Sequence, residues 1–453
     1  MHSNELRQRL EAEGAVALDL RFTDLVGSWR HMTVEASALA EGGLERFDLI
    51  DGSALLGWQD LVESDLRLLP QANRTWLDPF AAQPTLITVA DVADPATAEG
   101  FERCPRSALR RTVEELAARE IADETRLWAE VGFYVFDAVE VTTEEMTLGY
   151  RLTSGGGVPP AARVTGYLAS QPADSLADLR AEMISTLASL GVVGLSHMAL
   201  RGPGQCELKL GPADAVTLAD QLQLVRYVVE GVARAYGKVA CFLPQPAAGL
   251  PGSGLHLHVA LQRDGRPLFA GQGYADLSDA CFHAIGGILH HTRALNAFAN
   301  PSTNSYRRLR AGRREPSLLG YGARNRSTSI RIPSAARSDE KRVELRFPDP
   351  LANPYLAIAG LMMAMADGVA QKTDPGEPID RNAYDLIDDG GALERCAADL
   401  PDALHALEKA KHELFQGQAI PDELIDAYIG LKLVELERIV SHPHPLEHAI
   451  YAG

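Results

Sequence analysis

Basic charge is scarce in this chain. Its 453 residues carry 43 Lys and Arg against 61 Asp and Glu, a formal net charge of -18. Nucleic acid or an anionic membrane surface calls for a basic face, so neither is expected as a partner. Cysteine is scarce too: Cys104, Cys206, Cys241, Cys281 and Cys396 show no CxxC spacing and no pairing pattern. That excludes a zinc ribbon or a disulfide framework and points to a reducing, cytoplasmic setting. Long apolar runs are missing as well. The longest candidate, "PYLAIAGLMMAMADGVA", contains Asp367 and follows a helix start at Asn353–Pro354, which reads as a buried helix rather than a membrane span. The opening "MHSNELRQRLEAEGAVALDL" has no apolar core of a secretory signal. Neither a Walker pattern nor a GxSxG elbow occurs, which removes a P-loop and a serine-hydrolase route.

What is present is a chain with 46% hydrophobic residues, long enough for two domains, the larger able to bury a substantial core. Residues 15–100 alternate short apolar runs with turns, the pattern of a small mixed sheet. "DPATAEGFERCPRSALRRTVEELAARE" then reads as a linker entering an amphipathic helix, so a boundary is expected at 98–106. Beyond it, strands such as "LWAEVGFYVFD", "CELKL", "GLHLHVAL" and "RVELRF" are interspersed with helices over 174–190, 215–236, 276–298 and 354–370. Many strands with one polar face and helices behind them predict an α+β cleft.

Chemistry concentrates on those strands, where residues two apart share a face. Arg342, Glu344 and Arg346 form a cation–anion–cation comb. His256 and His258 share a face, as do Glu207 and Lys209, and Glu130 projects from an otherwise apolar run. Carboxylates and imidazole without thiolate suit a hard or borderline ion such as Mg2+ or Mn2+. Interleaved arginines suit phosphate or carboxylate, which a planar guanidinium grips bidentately. Each piece also has an ordinary structural explanation: an ion-paired edge Glu, a core His, a solvated strand face. From the residues alone, both a metal-and-anion site and a set of solvated strand faces stay open.

"NPSTNSYRRL", "YGARNRSTSIRIP", "RVELRFPDPLANPYLA" and "GSGLHLHV", with "DGSALLGW", "ESDLRLLP" and the final "SHPHPLEHAIYAG", resemble the signature blocks of the glutamine synthetase family, bacterial type. The resemblance spans nearly the whole chain. It implies an N-terminal β-grasp domain over 1–102 and a catalytic domain over 103–453 with a curved antiparallel sheet flanked by helices. It also implies homo-oligomeric stacked hexameric rings (a dodecamer) with active sites between subunits. The implied chemistry is an ATP-dependent carboxylate–amine ligation through an acyl-phosphate, assisted by Mg2+ or Mn2+, on a small-molecule acid and an amine.

The resemblance implies roles for particular residues. Glu130, His256 and Glu344 match the ligands of the ion that holds the phosphates, and Glu207 matches a ligand of a second ion. Arg326, Arg331, Arg342 and His258 match nucleotide-side residues. Arg308, Arg346, Gly252 and His256 match the acid-binding set, with Arg308, Arg326 and the ammonium-side Asp51 as catalytic groups. Departures accumulate as well, most of them at the amine and amino-acid end of the site. The second ion's remaining ligands fall on Gly132 and Ala199, with His197 a candidate replacement. The flap acid falls on Arg314, with Glu315 beside it, and an asparagine that holds the glutamate backbone falls on Pro251. A nucleotide-side lysine falls on Asp339 and an adenine-side aromatic near Pro212. Tyr384 falls where some relatives are adenylylated. These losses leave two readings: a ligase for an amine other than ammonia, and an inactive or regulatory ring protein.

Overall fold

The computed structural model describes residues 2–43, 48–144, 147–154, 166–310, 315–415 and 419–451. The N-terminal part is a five-stranded sheet of Ala17–Thr23 (β1), Trp29–Glu35 (β2), Leu49–Asp51 (β3), Asp65–Leu77 (β4) and Thr85–Ala93 (β5). Its order is β2-β1-β5-β4-β3, with β1 and β5 parallel and the other neighbours antiparallel. The expected small mixed sheet is therefore present.

The remaining strands are Glu124–Phe136 (β6), Ala138–Glu144 (β7), Thr147–Thr153 (β8), Gly194–Ala199 (β9), Gln205–Ala213 (β10), Val239–Cys241 (β11), Leu255–Arg263 (β12), Arg266–Pro267 (β13), Tyr321–Ala323 (β14), Ile330–Ile332 (β15) and Val343–Leu345 (β16). All but β7 and β8, which form a hairpin, belong to one sheet ordered β14-β15-β16-β12-β6-β10-β9, with β11 on β6 and β13 on β12. Its ladders are antiparallel except β14–β15, which is parallel. That one pair departs from an all-antiparallel expectation.

Strand alternation decides what this sheet carries. On β6 Leu127, Ala129, Val131 and Phe133 are buried in the main hydrophobic cluster, while Trp128, Glu130, Gly132 and Tyr134 share the other face. The helix Ala215–Ala235 packs behind β6 and β10. The helix Pro354–Gln371 is apolar all round, and such a helix must be enclosed; it lies against helices Pro105–Ala118 and Asp279–Ala299. Its start is fixed by Asn353, whose side-chain oxygen accepts from Tyr355 N at 3.1 Å, and by Pro354 in the first turn. Among the described residues no helix is long and apolar enough to cross a membrane.

A buried charge network joins the two sheets' supporting layers. Arg106 donates to Asp91 of β5 at 2.6 Å and to Asp220 at 2.9 and 3.0 Å, and the Tyr355 hydroxyl donates to Asp220 at 2.7 Å. Burial pulls the Arg106 pKa down, but the two carboxylates outweigh it and keep the guanidinium charged. Removing one partner would strand a buried charge, at a cost of about 3–5 kcal/mol. The small sheet is thereby fastened to the body that carries the cleft.

Candidate functional site

A cavity of about 880 Å³ opens on the polar face of the large sheet. Its lining includes Glu130, Glu207, Lys209, Gly252, His256, His258, Arg308, Glu315, Arg326, Arg331, Arg342, Glu344 and Arg346. The cross-strand register explains the gathering. His256 on β12 stands opposite Glu130 on β6, and His258 stands opposite Glu344 on β16. Arg331 on β15 stands opposite Glu344, and Lys209 on β10 stands opposite Glu130. Directly opposed side chains on one face lie within contact range, so five strands deliver these groups to one place.

The carboxylates form the centre. Single donor atoms of Glu130, His258 and Glu344 all lie within 4.8 Å of one another. His256 Nδ1 is 3.3 Å from Glu130 and 3.6 Å from Glu344, so both imidazoles border the same two acids. The resemblance assigned His256 to this ion and His258 to the nucleotide; in the fold both imidazoles stand within reach of the two carboxylates, His256 opposite Glu130 and His258 opposite Glu344. Burial holds the His256 imidazole below its ordinary pKa against the pull of Glu130, so the neutral ring keeps a lone pair for an ion. For Glu130, burial raises the carboxyl pKa, but His256 and His258 outweigh it and keep the group ionised. Glu344 behaves alike: burial opposes ionisation, and the two histidines, Arg331 and Arg346 overcome it. Two ionised carboxylates with imidazole and no thiolate fit one hard or borderline divalent ion.

Arginines frame this cluster. Arg331 ion-pairs with Glu344, and Arg346 Nε lies 3.5 Å from it. Arg342 Nε donates toward His258 Nδ1 at 3.4 Å, and its guanidinium sits 5.0 Å from the Trp128 ring centre. Arg308 is only 2% exposed and donates to the carbonyls of Arg346, Phe347 and Pro348 at 2.9, 2.8 and 3.0 Å. Most of its donors are thus committed to holding the β16 exit segment. Still, Nε of Arg308, Arg331 and Arg346 are buried without a hydrogen-bond partner. Arg308 Nε and Arg346 Nε have only carboxylates at 3.5 Å, Glu315 and Glu344, and a row of guanidinium groups lining one cavity fits an anionic ligand.

Gly252 is required sterically, since a Cβ there would stand 2.6 Å from Arg308 Cγ. Gln205 Nε2 donates to Gly252 O at 2.9 Å and the Tyr134 hydroxyl donates to Pro251 O at 2.7 Å, which fixes the 251–254 segment over the cleft.

The other end differs. Glu207 stands opposite Gly132 on β6 and Met198 on β9. Ala199 pairs with Cys206 and so shares that buried residue's face, away from the cavity; His197 pairs with Leu208, also on the far face, and does not line the cavity. His197, the candidate replacement, is therefore an ordinary strand residue outside the cleft. Burial, with Glu130 and Glu344 nearby, pushes the Glu207 carboxyl up to about 7 against the opposing Lys209. A second divalent ion finds one dedicated carboxylate here, and the donors do not fit it.

Asp51, at the end of β3, does not line the cavity. It is exposed and accepts from Ser53 N and Oγ at 2.9 and 2.6 Å, bonds that hold its carboxyl below the ordinary pKa. Arg314 lies outside the described residues. Glu315 lines the cavity with Oε2 3.5 Å from Arg308 Nε, and the Tyr384 hydroxyl donates to its carbonyl at 2.6 Å. Tyr384 itself is buried. Sequence reasoning missed the cavity position of Gln205, the opposition of Lys209 to Glu130 and the Tyr134 hydroxyl under the 251–254 segment. Period-two spacing on β6 and β10 was the available signal for their shared faces.

A two-sheet α+β chain with a carboxylate–imidazole cluster framed by arginines defines a nucleotide- and metal-dependent type of enzyme. Family comparison makes the class specific. Residues 15–95 match the glutamine synthetase β-grasp domain and residues 102–451 match the glutamine synthetase catalytic domain. Glutamine synthetase of Neisseria gonorrhoeae is 42% identical over 462 residues, covering 98% of each chain. That of Bradyrhizobium diazoefficiens is 40% identical over 448 residues, covering 96% of each. Among solved structures, the GmaS/ADP complex superposes with a TM-score of 0.84 at 27% identity over 99% of each chain. Plasmodium falciparum glutamine synthetase superposes at 0.89 with 21% identity, covering 99% of this chain and 98% of that one, a likeness of fold. The chain belongs to the glutamine synthetase family, whose members are ATP-dependent carbon–nitrogen ligases.

Proposed function

We propose that this ligase joins glutamate or a related acid to an amine other than ammonia, through an acyl-phosphate. The observation that carries the reading is the asymmetry of one cavity. Glu130, the two histidines, Glu344 and the arginines stand together, while Gly132 and Met198 face Glu207 without an oxygen between them. Loss concentrated at the amine and amino-acid end, against two changes on the nucleotide side (Asp339 and Pro212), supports a changed amine more than a lost activity, because unneeded buried charges are costly to keep. The likeness to a GmaS/ADP complex supports a nucleotide as a ligand of this chain. In this reading the units are 1–102 and 103–453, and Asp51 serves a neighbouring copy's cavity in a ring.

Arg326, Arg331 and Arg342 hold the ATP phosphates, and Arg346, braced by Arg308, holds the acid beside Gly252. A divalent ion (Mg2+ or Mn2+) at Glu130, the histidines and Glu344, when bound, neutralises phosphoryl oxygens. The acid's carboxylate oxygen attacks the γ-phosphorus and ADP leaves. The amine nitrogen then attacks the acyl carbon, phosphate leaves, and Glu315 takes the amine's proton. The alternative, an inactive ring protein, keeps the arginines as structural groups.

The test is phosphate release from ATP across a panel of acids and amines with Mg2+ or Mn2+. Amine-dependent release is expected. Glutamine formation from glutamate and ammonia should fall at least about a hundredfold below an ordinary relative, the scale of a lost catalytic base. Near-normal glutamine synthesis refutes the changed amine.

A further inference from the structure

Lys209 sits between the two acids that a second ion would share. Its Nζ is 2.7 Å from Glu130 Oε1 and 3.6 Å from Glu207 Oε1. The register produces this: Lys209 stands opposite Glu130, and Glu207 lies two residues back on the same face of β10. An exposed cross-strand pair of this kind would be an ordinary solvated contact. This one is inside the cavity, beside a Glu207 that is only 8% exposed.

A divalent ion in the same place would need several oxygen donors and would have to displace the ammonium. Two carboxylates are on hand, and Glu130 is already shared with the histidines. Gly132 supplies no oxygen to the space, and a Cβ there would stand 3.2 Å from Gly254 O and 3.3 Å from Gly254 N, tighter than ordinary contact.

We propose that the Lys209 ammonium is a tethered cation that replaces a second divalent ion between Glu130 and Glu207. The site then works with one exchangeable ion and one built-in positive charge. An ammonium donates hydrogen bonds from a single point and does not bridge oxygens as an ion does, so it balances charge without rebuilding the ion's coordination. Lys209 is a charge-supplying residue; it orients Glu130 toward the histidine cluster.

The proposal rests on the ligase reading only for its effect on turnover, and the test counts ions without turnover. Full-length wild type, Lys209→Arg and Lys209→Gln are titrated with Mn2+ alone by calorimetry, with circular dichroism confirming the fold. Wild type and Lys209→Arg should bind one ion per chain. Lys209→Gln removes the ammonium and adds an amide oxygen to the two carboxylates, so it should bind two. Two ions in wild type, or one in folded Lys209→Gln, overturns the proposal. Should Lys209→Gln not fold, anomalous scattering from Mn2+-soaked wild-type crystals decides. A peak coordinated by Glu207 overturns the proposal, and a peak at Glu130, the histidines and Glu344 alone supports it. One ion in wild type and two in Lys209→Gln, with no turnover on any substrate pair, defeats the ligase reading and leaves the tethered cation standing.

Discussion

At the Glu344 end of the cavity every carboxylate meets an imidazole or a guanidinium from another strand, whereas Glu207 at the other end faces a glycine and a methionine across both its ladders. Both ends lie on one sheet, built by the same alternation, so the difference comes from a few side chains and not from the fold. A scaffold that retains its phosphate-facing charges while altering the amine-facing ones can change its substrate without changing its architecture. The contrast is open to direct attack, beginning where the charges are densest.

Glu344 is 2% exposed and borders Arg331, Arg346 and His256. Glu344→Ala removes an ion ligand and leaves two guanidinium groups uncompensated. Turnover should fall at least about a thousandfold, with stability lower by about 3–5 kcal/mol. Calorimetry should show Mn2+ binding lost, and urea unfolding should show the lower midpoint. Retention of both would mean that the cluster is not the centre of the site.

Arg326 offers the next largest effect and a cleaner one, because it is exposed and lines the cavity. A guanidinium that meets phosphoryl charge mainly in the transition state should lower turnover more than affinity when removed. Arg326→Ala is expected to lose about a hundredfold in kcat with ATP affinity within a few-fold of wild type. An unchanged kcat beside weakened ATP binding, or a change only in ring size by light scattering, would favour the inactive ring protein.

How much of this was legible beforehand follows from physical range. Period-two spacing alone put Arg342, Glu344 and Arg346 on one face and His256 with His258 on another, and the α+β cleft followed from strands with polar faces. Register was not legible, because it is set by pairings between residues far apart in sequence. Hence spacing alone did not show that both histidines border Glu130 and Glu344, and the partner of Lys209 could not be named although its shared face with Glu207 was plain. The same limit hid Ala199 and His197, whose spacing was visible but whose face depends on pairing with Cys206 and Leu208. Asp51 differs again: the resemblance named it, yet it is exposed and does not line this chain's cavity.

The smallest expected effect probes the amine end through a single hydrogen bond. The buried Tyr384 hydroxyl donates to the Glu315 carbonyl, and Glu315 in turn faces Arg308 inside the cavity. Tyr384→Phe keeps the ring and its packing and removes one donor, leaving a carbonyl short of a partner. The stability cost should be about 1 kcal/mol, the net worth of one such bond. If Glu315 is the group that takes the amine's proton, loosening its backbone should lower kcat a few-fold and leave the affinity for ATP untouched, since the arginine end is unaltered. A few-fold loss confined to the amine-dependent step, with ATP binding unchanged by calorimetry, would separate the two ends functionally as the structure separates them chemically. An equal loss in ATP affinity would instead show that the whole cavity moves as one, and the contrast between its ends would lose its meaning.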